Sequence, residues 1–523
     1  SGVTCAIYYR GCPVSQIGFP LLSLITWLPA LGALAVLLVG RGSAQRTIAV
    51  GVSVVTLVAA LVAFVLFNRA EPGLQLAENV PWVPTWGFSY YLGLDGLNVW
   101  LMMVTAIMFP FAALVVRREG DDGRSFFVLF LLLETATLGT FLAQDLILFY
   151  VFFEATLVPT ALLLGIWGGP ERSRAAAKFF LYTFAGSVFM LVSMIAVYLL
   201  HGQQTGTYTF AYDTLSAALQ GGAAATLQLA PTTERLLFLG FFIAFAIKIA
   251  LWPFHTWMPL LHGQTPVDGS VDVTAVILKL IGGYGMVRFT LGLFPQAAQW
   301  AAPAIGVLAV IGIIYGAWVA ATQNDLKQML AYSSVSHLAF VVLGVYALNA
   351  QGVSGALLQM VNYGLTTGAL FLAVGALEQR TGTRQVREMG GLWLVMPAFG
   401  GLVLTMMLAS IGLPGLNGFA GEFTLMQGAW LSQALGWRFV LFAVLGVILA
   451  AVYMLRVYRL VFMGGLRSTE RAVGELTRSQ LLALGALVVL MVAIGLYPNL
   501  VLTPLQPTVE QLTSALSAAL ASQ

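Results

Sequence analysis

The sequence predicts an all-α polytopic membrane protein of about fourteen transmembrane helices, containing two inverted five-helix repeats with a broken helix in each. Three observations predict this. The 523 residues are 59% hydrophobic and only 9% charged, with a mean hydropathy of +0.90, whereas a soluble domain is about 25% charged. Apolar runs of about 20 residues, the length that crosses a bilayer, recur along the whole chain. Two of these runs, one in each half, are interrupted by proline, the pattern of inverted repeats built around a site at mid-membrane.

Composition narrows the function. The net charge of +3 comes without a basic run, so nucleic acid is not an expected partner. The only cysteines, Cys5 and Cys12, lie in an N-terminal tail (1–18). With no CxxC pair and no ligand-spaced Cys/His cluster, neither a zinc nor an iron–sulfur site is expected. The two thiols are either a single disulfide or unrelated.

The spans fall at 19–40, 47–67, 95–116, 125–143, 145–168, 178–200, 235–258, 270–291, 300–321, 326–348, 353–377, 393–413, 437–463 and 480–500. Gly418–Leu431 reads as the second half of the twelfth span. Spans 4 and 5 are divided only by Ala143, Gln144 and Asp145. The long connections 68–94 and 201–234 are richer in Gly, Pro and Thr than the spans and do not look like separate domains; 501–523 reads as a C-terminal tail. Loops after odd-numbered spans carry 17 Lys and Arg against 5 on the opposite side. The positive-inside rule then puts both termini outside the cytoplasm, and the bias supports an even number of spans.

Pro253 interrupts span 7 in ALWPFHTWMP, and Pro414 interrupts span 12 in SIGLPGLNGFAGEF, among Gly412, Gly415 and Gly418. Proline removes a helical hydrogen bond, and backbone freed inside a membrane must be buried in protein or line a wet cavity. The breaks are five spans apart, so spans 4–8 (125–291) and 9–13 (300–463) form the two repeats, flanked by spans 1–3 (19–116) and span 14 (480–500). The other reading is two plain kinks, but each break lies near a charge.

Charges inside the spans carry the functional argument. Lys248 and Lys279 sit in nearly wholly apolar stretches, as do Glu154 and Glu422. A charge at mid-bilayer costs about 2.5–3.5 kcal/mol on insertion scales, so such groups point to ion or proton movement. Glu154, in FYVFFEATLVP, needs a base, and Lys248 is the obvious partner; the pair is either a switchable acid–base element or a static buried ion pair. Lys279 lies at the join between the repeats, and Asp272, seven residues earlier, shares its helix face. His255, His262 and Asp268 surround the loop before span 8. His337, in AYSSVSHLAF, lies beside Ser333, Ser334 and Ser336, and an imidazole relays protons near neutral pH. Glu134 is either part of the path or paired locally. Asp95 and Asp145 sit at span starts, where a helix N-terminus favours an anion, and read as caps. Glu154, Lys248, Lys279, His337 and Glu422 together form a lateral polar axis through the membrane centre.

FYVFFEATLVP, FAIKIALWPFHTWMP, GSVD with VILKL, YSSVSHLAF, EMGGLW and GLPGLNGFAGEF occur in that order. Over roughly residues 90–500 they resemble the antiporter-like subunits of respiratory complex I, an NADH:quinone oxidoreductase, and among them the M type, also called chain 4. Glu422 stands where the L and N types usually place lysine, and the chain leaves no room for the long lateral helix of the L type. The resemblance implies proton translocation in a bacterial inner membrane, beside L-type and N-type neighbours. Glu154 and Lys248 would be the modulating pair, Lys279 the central lysine, His337 the connecting histidine and Glu422 the terminal acid near the exit. This chain would bind no cofactor; NADH, FMN, iron–sulfur clusters and quinone would lie in other subunits.

Three departures stand out. Asn362, in QMVNYGLTTGALF, replaces the family's second histidine and cannot change charge. Leu260 and Leu261 precede His262 where the family usually reads Asp-Ala-His. The following Ala-Pro is Thr265-Pro266. The alternatives are a subunit of a multisubunit sodium/proton antiporter, a subunit of a membrane-bound hydrogenase, and a scaffold whose charges are fixed pairs.

Overall fold

The computed structural model describes residues 19–38, 44–118, 120–220, 226–466 and 474–521. The expected tail 1–18, with Cys5 and Cys12, lies outside them. Apolar sequence in lipid must satisfy its own backbone, and the helix does so within one segment; each of the fourteen expected spans contains helix. The helices are α1 (Leu21–Leu38), α2 (Ala44–Leu66), α3 (Val99–Val115), α4 (Gly120–Leu142), α5 (Leu146–Ala155), α6 (Leu157–Trp167) and α7 (Arg172–Thr205). There follow α8 (Tyr212–Gln220), α9 (Pro231–Ile249), α10 (Trp257–Gln264), α11 (Ser270–Gly285), α12 (Pro295–Thr322), α13 (Leu326–Val345) and α14 (Ala350–Thr381). The series ends with α15 (Pro397–Ile411), α16 (Asn417–Leu431), α17 (Trp437–Phe462), α18 (Arg478–Leu496) and α19 (Asn499–Ala521). Among the described residues, eleven stretches are long and apolar enough to cross a bilayer, while α3 and α15 are shorter apolar helices.

Three spans are broken. In span 7, α9 stops at Ile249, Ala250 turns left-handed at φ 63°, and α10 starts at Trp257 beyond Pro253. In span 12, α15 stops at Ile411; Gly412 and Gly415 take φ 81° and 91° around Pro414, which only glycine does without strain. The third break is unexpected. Span 5 turns at Thr156, between α5 and α6. Pro159 lies four residues beyond Ala155 and cannot donate to its carbonyl.

The long connections are structured. Residues 68–94 hold an antiparallel hairpin of β1 (Gln75–Val83) and β2 (Phe88–Leu94). Its Glu78 carboxylate accepts hydrogen bonds from Leu22 N (2.6 Å) and Ser23 N (3.1 Å), filling the open amides at the start of α1. The stretch 201–234 contains α8. The expected C-terminal tail is a correction: 499–521 is helical, and Val501, Leu505, Val509, Leu512 and Leu516 bury one stripe at helical spacing.

Two cations read from sequence as loop charges are buried: Lys327 at the start of α13 and Arg288 beyond α11. Removing them leaves a bias of 16 to 4, still one-sided. The most apolar windows of α11 and α14 are wholly buried, and that of α13 is 89% buried. These three helices form the centre and carry Lys279, Asn362 and His337. The outer faces of α2, α7, α12, α17 and α18 keep exposed Leu, Val, Ile and Phe, as lipid-facing surfaces do.

Candidate functional site

Three polar clusters lie within the helical body. The first is at the broken end of α9. Lys248 is 1% exposed; its Nζ donates to Thr156 Oγ1 at 2.9 Å and lies 4.5 Å from the centroid of the Phe153 ring. The lysine thus reaches the turn that Pro159 opens in span 5. Thr156 Oγ1 in turn donates to Phe153 O at 2.7 Å. The expected direct Glu154–Lys248 ion pair is not formed: among the described residues they make no contact within 4.0 Å. Glu154 faces Tyr150 and Ser187, with Oε1 buried and unbonded, while the Lys248 charge acts on it through space. The two groups are adjacent but disengaged.

The second cluster surrounds Lys279. A Cβ at Gly282, one turn beyond Lys279, would lie 2.6 Å from Ile249 N; glycine is what lets α11 touch α9 just past Lys248. Lys279 Nζ donates to His262 Nε2 at 2.9 Å, and His262 Nδ1 donates to Asp272 Oδ1 at 2.7 Å. One neutral tautomer, with hydrogen on Nδ1, serves both contacts. Asp272 shares the helix face of Lys279 as expected, but His262 bridges them. Asp272 Oδ1 also accepts from Thr265 Oγ1 at 2.7 Å, and Oδ2 lies 3.0 Å from Lys327 Nζ. Asp268 holds the turn before α11, accepting from Ser270 N at 2.9 Å. His255 stands apart, edge-on to Tyr315 at 5.1 Å, with its Nδ1 buried and unbonded.

The third cluster joins α13, α14, α15 and α16. Glu422 Oε1 accepts from His337 Nδ1 at 3.1 Å and Gln359 Nε2 at 3.2 Å, and His337 Nε2 accepts from Ser410 Oγ at 3.2 Å. Gly421 permits this approach, since a Cβ there would lie 2.3 Å from Gln359 Oε1. Asn362 Nδ2 donates to Asn417 O, at the first residue of α16 beyond the span 12 break, at 2.7 Å. The serines flanking His337 serve elsewhere: Ser333 bonds Tyr453 at 2.6 Å and Ser336 donates to Ile313 O at 2.9 Å. The hydroxyl on His337 is Ser410, on α15. Ser410, Gln359 and Lys327 were not picked out from sequence.

Tyr363 connects the last two clusters. Its ring lies 5.6 Å from Lys279 Nζ, and its side chain lines a small polar void with His337, Asn362, Thr366 and Ser410. That void gives about 10 Å³ to the centre of a water molecule, room for about one. Glu134 lies off this line: it accepts from Ser53 Oγ on α2 at 2.6 Å. Asp145 caps α5 by accepting from Ile147 N (2.9 Å) and Leu148 N (3.1 Å). Asp95 accepts from Leu97 N at 2.9 Å and also pairs with buried Arg288 at 2.6 Å. Among the described residues no group of His, Cys, Asp and Glu is arranged to hold a metal.

Comparison with known proteins agrees with this architecture. The family described as NADH:quinone oxidoreductase/Mrp antiporter, transmembrane, matches residues 143–450. The chain is 40% identical over 499 residues to NADH-quinone oxidoreductase subunit M of Rhodobacter capsulatus, covering 94% of this chain and 96% of that one. It superposes on a chain of respiratory complex I from Thermus thermophilus with TM-score 0.85 and 33% identity, covering 95% of this chain and 99% of that one. A chain of the Mrp complex from Dietzia sp. shares the fold at TM-score 0.77 and 19% identity, covering 96% of this chain and 100% of that one. With the family match over more than half of its length and a relative 40% identical along nearly all of it, this chain belongs to the NADH:quinone oxidoreductase/Mrp antiporter transmembrane family.

Proposed function

We propose that the chain is a proton-translocating membrane subunit of an NADH:quinone oxidoreductase. The observation that carries this reading is the series of buried ionisable groups between broken helices: Lys248 at the first, Lys279 on His262 in the centre, His337 on Glu422 at the last. Tyr363 with its void lies between the last two. Lys248 is the modulating base: drawn onto Glu154 its charge is held away from Lys279, and seated on Thr156 it repels the proton on Lys279 toward His337. Glu422 is the terminal acid, with Asn362 and Ser410 holding water beside it. Asp272 supports the path through His262.

In this reading the fourteen spans comprise two inverted repeats, 125–291 and 300–463, and both termini lie on the non-cytoplasmic side of a bacterial inner membrane. L-type and N-type subunits flank the chain. NADH, FMN, iron–sulfur clusters and quinone belong to other subunits, so the chain carries protons and no redox centre. Purification of the tagged chain from native membranes tests this. NADH:quinone reductase activity and peripheral redox subunits should copurify; recovery with small antiporter subunits alone would refute it.

A further inference from the structure

The central Lys279 is fully buried, so protons must reach it along a chain of side chains. We propose that Lys327 is a proton relay on that chain, taking protons from Glu378 and giving them to Asp272 across the seam between α13–α14 and α10–α11. The proposal rests on the proton-translocating reading above and adds the uptake route.

Lys327 Nζ lies 3.0 Å from Asp272 Oδ2 and 3.8 Å from Glu378 Oε2. Its remaining contacts are carbonyls and a hydroxyl: Pro266 O at 2.7 Å, Thr265 Oγ1 at 3.3 Å and Thr265 O at 3.5 Å. The side chains of Lys327 and Asp272 are 0% exposed, whereas Glu378 is 14% and Arg384 23% exposed. The line therefore runs from a partly wet carboxylate to a dry one. Beyond Asp272, contacts of 2.7 Å and 2.9 Å lead through His262 to Lys279. At the outer end Arg384 lies 3.9 Å from Glu378 Oε1 and is anchored on Asp325 at 2.6 Å. Arg380, Arg384 and Arg387 mark the same surface, the one that the charge bias assigns to the cytoplasm.

Lys327 sits on Asp272 and leaves Glu378 Oε2 at 3.8 Å, about an ångström beyond hydrogen-bonding distance. Four rotatable bonds let the ammonium close that gap. The proton count balances. Glu378 takes a proton from water; Lys327 gives one to the Asp272 carboxylate and regains one from Glu378. Protonated Asp272 gives its proton to His262 Nδ1 as the ring, in its Nε2–H tautomer, gives its hydrogen to the neutral amine of Lys279; this leaves the Nδ1–H tautomer and charged Lys279 seen in the structure. One proton moves inward, and every other group is restored once His262 returns to its Nε2–H tautomer.

Glu378→Gln keeps the shape of the outer carboxyl but cannot carry a proton. In assembled complex it should slow coupled quinone reduction and proton pumping about tenfold or more, within the usual worth of a positioned proton-transfer group. Lys327→Arg separates relay from static charge, because arginine keeps the cation and does not deprotonate; it too should fail to pump. Normal pumping by either variant overturns the relay. Lys279→Met, measured alongside, tells the two readings apart. If it stops pumping while Glu378→Gln pumps normally, only the uptake route fails; if all three pump normally, proton translocation by this chain fails with it.

Discussion

Replacing Lys248 by methionine separates a working charge from a structural one. In the structure Lys248 makes a single hydrogen bond, to Thr156, and one contact over Phe153. Removing a mid-membrane charge returns about 2.5–3.5 kcal/mol. Against this stand the lost charged hydrogen bond, about 1.5–3 kcal/mol, and the lost ring contact, about 0.5–2 kcal/mol. The terms nearly cancel. No orphan is left, because Thr156 Oγ1 still donates to Phe153 O and Glu154 has no direct bond to Lys248 to lose. Lys248→Met should therefore assemble in normal amount and inactivate thermally within a few degrees of wild type. Proton pumping and coupled quinone reduction should fall about tenfold or more. The assays are assembly on native gels, NADH oxidation by an acceptor that bypasses quinone, and proton uptake in reconstituted vesicles. Normal pumping would refute the role given to Lys248; failed assembly would show a structural charge and refute the cancellation.

Two other substitutions probe different parts of the chain. Glu422→Lys should be partly tolerated: the Gln359 amide can turn to offer its oxygen, and His337 can accept at Nδ1 in its other tautomer, so no donor need be stranded. Complete loss of activity in fully assembled complex would contradict this. Arg288→Met strands Asp95 in the interior, and breaking such a buried pair costs about 3–5 kcal/mol. Assembly and thermal stability should drop while turnover per assembled complex holds; a normal melt would show that the pair is not structural.

Much of this architecture was legible in the sequence because lipid imposes a simple rule: about 20 apolar residues per crossing. The breaks at Pro253 and Pro414 were legible because proline leaves a local mark. Five ionisable groups stand out against apolar flanks. What could not be read depends on how helices face one another. Lys327 and Arg288 lie near span ends and look like loop cations until α11, α14 and α3 close over them. His262 reaches Lys279 across 17 positions, which spacing along one helix cannot show. The serines beside His337 in sequence point elsewhere on α13, and Ser410 comes from another helix. Glu154 and Lys248 were paired by charge alone, whereas the turn at Thr156 supplies a competing acceptor. Pro159 is a local signal for that turn, and the stripe from Val501 to Leu516 is one for α19, set against Pro504 and Pro507, which suggest a tail.

The account stands on protons passing through Lys279. The most direct measurement is the proton-to-electron ratio of assembled complex carrying Lys279→Met, with proton uptake and NADH oxidation followed in the same vesicles. Loss of coupled turnover, or a lower ratio at retained turnover, is the predicted result. Wild-type turnover at the wild-type ratio would contradict it.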